Sequence, residues 1–94
     1  MNTELPIKLK DGSTLPAGLP VSFTANPRVV LVSTPERDEP MRIRTTSAFR
    51  PPELDELQEM AGDGLCLSVA GETVEPDGHD PHGAPSWLLV LGLI

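Results

Sequence analysis

No lysine or arginine follows Arg50, although nine aspartate and glutamate side chains do. Residues 51–94 therefore carry a formal −9, and residues 1–50, with seven basic against five acidic groups, carry +2, together giving the chain its −7. A half-chain of one sign must be neutralised by internal pairs, left in water or turned toward a cationic partner. Cysteine is scarce as well. The single Cys66 excludes an internal disulfide, and its place in Leu65-Cys66-Leu67 suits a small apolar core residue in a reducing compartment. Aromatic residues make up only 3%, namely Phe23, Phe49 and Trp87, which leaves few rings to stack on bases or to line a substrate pocket. The longest apolar stretch, Trp87 to Ile94, is eight residues and includes Gly92, far short of the roughly 20 needed to cross a bilayer. The opening Met1-Asn2-Thr3-Glu4-Leu5-Pro6 has no positive start and no apolar run, so no signal peptide is expected and the chain is read as cytoplasmic.

What is present is turn chemistry. Eleven prolines and eight glycines interrupt a chain of 94 residues, enough for one small domain with a thin aliphatic core. The first half reads as short strands. Ile7-Lys8-Leu9-Lys10 alternates, Asp11-Gly12 gives a hairpin turn, and Ser13-Thr14-Leu15 resumes. Pro20 to Ala25 alternates through Val21 and Phe23, and Arg28-Val29-Val30-Leu31-Val32-Ser33, apolar on both faces, is the expected central strand. After the charged turn from Thr34 to Pro40, Met41, Ile43 and Thr45 alternate with Arg42, Arg44 and Thr46.

The second half changes period. Glu53 to Ala61 predicts a helix with Leu54, Leu57, Met60 and Ala61 on one stripe, acids in its first turn and Gly62 as its stop. Leu65, Leu67 and Val69 alternate with Cys66 and Ser68, which favours a strand over a resumed helix. Ala70 to Pro85 is rich in turn formers and acids and predicts a long exposed loop. Pro85 to Ile94 fits either a short Pro-started helix or a buried strand.

The strands near 7–10, 13–15, 20–25, 28–33 and 41–46 resemble the order and spacing of a small SH3-like barrel. The strings Val74-Glu75-Pro76-Asp77-Gly78 and Pro85-Ser86-Trp87-Leu88-Leu89 resemble the endings of small phage and prophage proteins. The first resemblance implies a five-stranded SH3-like barrel (1–50), which together with the acidic helix, strand, loop and apolar C-terminal segment read above (51–94) makes one α+β domain over residues 1–94. The second implies action inside a bacterial cell, on a host factor or in particle assembly. Neither carries over a functional residue.

Chemistry-bearing clusters are few. Glu75, Asp77, His79, Asp80 and His82 put five potential metal ligands within eight residues, but Pro76 and Pro81 hold parts of the loop extended and the spacing is not that of a calcium loop. No metal or other cofactor is expected. Cys66 with His79 or His82 is the one thiol and base combination, and its leucine neighbours favour an inert, buried thiol. Asp55 and Glu59, four residues apart, suit the wet face of a helix better than an acid and base pair. Catalysis is therefore not expected. Lys8, Lys10, Arg42, Arg44 and Arg50 are expected to form a basic face on the barrel, yet the overall −7 disfavours a nucleic-acid partner. The remaining reading is a binding protein. Glu53, Asp55, Glu56, Glu59, Glu72, Glu75, Asp77 and Asp80 are its candidate contacts to a basic host protein, and Trp87 either fills the core or anchors another chain or a homo-oligomer. The alternative is a particle component that self-associates through Trp87 to Ile94.

Overall fold

A computed structural model describes all residues, Met1–Ile94. The chain divides into two units, Met1–Arg50 and Pro51–Ile94, so the boundary falls at the residue where the charge changes sign. Both belong to a small α+β protein of antiparallel strands and three short helices. None of its helices is long and apolar enough to cross a membrane.

In the first unit, β1 (Ile7–Lys8) and β2 (Thr14–Leu15) pair antiparallel with Ile7 opposite Leu15. The Asp11-Gly12 turn that joins them is fixed by Asp11 Oδ1, which accepts from the Ser13 amide at 2.9 Å and the Ser13 hydroxyl at 2.5 Å. Gly12 has φ +89°, a conformation that favours glycine. A separate three-stranded meander follows: β3 (Val21–Phe23), β4 (Val29–Val32) and β5 (Met41–Arg44), with β4 central. Val30 and Val32 are completely buried, as the β-branched run predicts.

The five strands of the first unit form two sheets, and no closed barrel is found. Two-residue strands are too short to wrap, and Pro6, Pro16, Pro20 and Pro40 at their borders offer no N–H to a continuing ladder. The strand expected to reach Thr46 ends at Arg44 and turns into the one-turn helix α1 (Thr45–Ala48). Thr45 holds this corner: its amide donates to Arg28 O at 2.9 Å and its hydroxyl to Pro27 O at 2.8 Å. Ala48 and Phe49 are thereby driven into the core, where the Phe49 ring stacks on Phe23 with centroids 6.4 Å apart. The Ala48 carbonyl accepts from the Glu4 and Leu5 amides, and Thr3 exchanges bonds with Gly18 and Leu19.

In the second unit, α2 (Leu54–Asp63) runs two residues past the expected stop and ends at Gly64, whose φ of +73° terminates the helix in the left-handed conformation. Its buried stripe is narrow. Leu57 is buried and Met60 half-buried, whereas Leu54 and Ala61 are exposed, contrary to the expected four-residue stripe. Then β6 (Cys66–Leu67) pairs with β7 (Thr73–Val74), Cys66 opposite Val74. The strand preferred for this stretch forms, with Cys66 and Ser68 buried and Leu65 and Leu67 exposed. The chain closes with the one-turn helix α3 (Trp87–Val90), capped by Ser86, whose Oγ accepts from the Leu89 amide at 3.2 Å. This resolves the helix-or-strand alternative for the C-terminal segment in favour of a helix.

Candidate partner-binding surface

The stretch expected to be a long exposed loop is built around buried polar side chains. Asp80 is only 5% exposed. Its Oδ1 accepts from the His82 amide at 2.9 Å and the Ala84 amide at 3.0 Å, while Oδ2 accepts from the Ser68 hydroxyl at 2.9 Å. Ser68 Oγ accepts in turn from the Ala70 and Glu72 amides at 3.2 Å. Ser86 links the far side, donating its hydroxyl to the Pro76 carbonyl. Isolated bridges join Ser68 to Ser86 and His79 to Pro85, so the segment returns on itself and buries Ala84, Pro85 and Ser86.

Asp80 is thus placed in the interior rather than at the surface proposed for it. Burial opposes ionisation, but donation from the Ala84 amide, the Ser68 hydroxyl and the His82 amide outweighs it and holds the carboxyl below the usual carboxylate range. No group of three or more His, Cys, Asp or Glu side chains is brought together as a metal site. The inward turn of Asp80 accounts for part of this, because its oxygens already face N–H and O–H donors. Cys66 is buried as expected, with its Sγ 3.7 Å from Met60 Sδ and 3.3 Å from the Leu67 carbonyl.

Trp87 also lies inside, 4% exposed, beside buried Leu88 and Val90 on α3. A partner cannot reach its ring without opening the unit, so at this position the core reading replaces the anchor reading. Apolar surface in this unit lies elsewhere: Leu54 is 68% exposed, and Leu65, Leu93 and Ile94 are more than half exposed.

The other acidic candidates remain at the surface. Glu53 precedes α2, Asp55, Glu56 and Glu59 project from it, and Glu72, Glu75 and Asp77 flank β7, all exposed. Asp63, on the last turn of α2, is exposed too. Asp55 and Glu56 in the first turn complement the positive end of the helix, so the helix tolerates this density of charge better near its start than near Asp63.

The first unit collects the opposite charge. Lys8, Lys10, Arg42 and Arg44, expected on one basic face, line a common groove, joined by Arg37 from the turn between β4 and β5. Arg50 is not among the lining residues. Arg37 is the member that sequence reasoning missed, since only the fold of the turn brings it beside Asp11, whose carboxyl is held low by Ser13 first and by Arg37 in smaller part. A smaller cleft of about 220 Å³ includes Leu9, Leu15, Leu19, Thr34 and Arg37; the Thr34 Oγ1 is buried without a hydrogen-bond partner. No protein-family model, no curated protein and no solved structure matches the chain.

Proposed function

We propose that the protein is a non-enzymatic accessory factor of phage type that binds a basic host protein in the bacterial cytoplasm through the acids of its second unit. The observation that carries this reading is that, of the nine acids in residues 51–94, Asp80 alone is buried, leaving eight exposed with no lysine or arginine in the same unit. Such a field accelerates encounter with a cationic surface and disfavours acidic partners. The bound face is Glu53, Asp55, Glu56 and Glu59 on α2 with Glu72, Glu75 and Asp77 around β7. The five-strand order of the first unit is taken as SH3-like without closure.

Tagged protein loaded with bacterial lysate and eluted by stepped salt tests the reading. One basic protein released at moderate salt, and lost when Glu53, Asp55, Glu56 and Glu59 are replaced by lysine, is expected. Retention of that protein by the folded, charge-reversed variant defeats it. A second reading, a self-associating particle component, is favoured by the exposure of Leu93 and Ile94. A salt-insensitive multimer that dissociates on their removal supports that alternative.

A further inference from the structure

Five of the seven basic residues, Lys8, Lys10, Arg37, Arg42 and Arg44, line one groove of the first unit, about 680 Å³ in volume. Asp11 is the single acid on its wall. Ile7, Leu9, Met41 and Ile43 supply apolar lining between the cations. The groove therefore combines an attractive field for anions with surface suited to apolar side chains.

Residues of β1 and β5 line it, and each of these strands has one edge without a partner strand. β1 pairs only with β2, and β5 only with β4. The Thr45 amide bonds the Arg28 carbonyl just beyond the β4–β5 ladder. Antiparallel alternation then turns the main-chain groups of Ile43 and Met41 toward β4 and those of Arg42 and Arg44 toward the free edge. On β1 the Leu9 amide bonds Ser13 O, so the same alternation turns the Lys8 main chain outward. Unpaired edge groups accept an added strand, whose side chains alternate between the groove and water.

We propose that the groove between β1 and β5 is a docking site for an extended acidic peptide, with acidic and apolar side chains alternating, added as a strand to the free edge of β5. This site lies in the other unit from the acidic face proposed above and takes a partner of opposite charge. A single-stranded nucleic acid is the other polyanion to weigh, and the groove does not suit it. Stacking platforms require accessible rings, and Phe49 is wholly buried, Phe23 is stacked on it, and neither lines the groove.

The probe is a labelled peptide of about eight residues alternating glutamate and valine, titrated by fluorescence anisotropy with the full chain below about 0.1 M salt. A lysine and valine counterpart and a thymidine oligonucleotide serve as comparisons. Saturable binding of the acidic peptide is expected, weakened about tenfold or more by Arg42→Glu with Arg44→Glu. Replacing alternate peptide residues by proline, which removes ladder donors, is expected to weaken it as well. Should the arginine variant lose its circular dichroism, Lys8→Glu with Lys10→Glu makes the same comparison from the β1 side. Equal binding of the basic peptide, preference for the oligonucleotide, or affinity unmoved by charge reversal or by proline overturns the proposal.

Discussion

The two units bury apolar sets of similar size but differ in their buried polar groups, Thr3 and Thr45 in the first and Ser68, Asp80 and Ser86 in the second. The first closes over Val30, Val32, Ile43, Ala48 and Phe49, an apolar set held by a three-stranded sheet. The second buries Trp87, Leu88 and Val90, but its longest connection is organised by Ser68, Asp80 and Ser86, whose side chains replace the missing ladder. In the first, stability follows apolar area. In the second, much of it depends on donors and acceptors that, once buried, cannot be left unpaired. A unit with nine acids thereby gains fixed structure from one of them.

The strongest challenge to this contrast is Phe49→Ala. Removing a fully buried ring is expected to cost about 3–5 kcal/mol, read as faster hydrogen exchange at the Val30 and Val32 amides. Trp87, the only tryptophan, reports the second unit separately; an equal shift in its emission midpoint would show that the units unfold together and would weaken the comparison.

Asp80→Ala is the counterpart, leaving the Ser68 hydroxyl and the His82 and Ala84 amides without their acceptor. A loss of about 3 kcal/mol in urea unfolding followed by Trp87 emission is expected. Asp80→Asn keeps a carbonyl oxygen and should lose about 1–2 kcal/mol. A result in which both variants match the parent protein would remove the polar organiser from the account.

Acid sharpens the same point. Because the folded Asp80 carboxyl is held low, the unfolded chain binds its proton first. The stabilisation is whole above about pH 4 and fades as pH falls through the lower folded value. The Trp87 unfolding midpoint should drop in that window, with a smaller drop in Asp80→Asn. The smallest effect is at Thr34, whose buried hydroxyl lacks a partner: Thr34→Val should leave stability unchanged or raise it by less than about 1 kcal/mol in thermal unfolding.

Several elements were legible in the sequence because local and tertiary preferences agree there. Val29 to Val32 is β-branched enough to sit at the sheet centre, Asp11-Gly12 makes its hairpin, and α2 carries acids in its first turn, although it ends at Gly64 rather than at Gly62. Others were hidden by tertiary contacts. Thr45-Thr46-Ser47 is a weak helix sequence, and α1 forms because Pro27 and Arg28 supply acceptors from another turn. Around Cys66 the alternation and the buried thiol are legible, but the outward turn of Leu65 and Leu67 is not, since Ser68 becomes an interior residue only through its bond to Asp80. Asp80-Pro81-His82-Gly83 does carry a turn signature in its aspartate and glycine. Charge counting alone assigned that aspartate to the surface.

The outward Arg42 and Arg44 also govern how copies of the chain behave when crowded. An exposed strand edge is a template for pairing with its own kind, and a row of like charges beside it makes that pairing repulsive. Two β5 edges brought together would oppose arginine to arginine. The cations proposed to admit an acidic strand thus act equally as gatekeepers against fibrous aggregation, a protection that weakens as salt screens them.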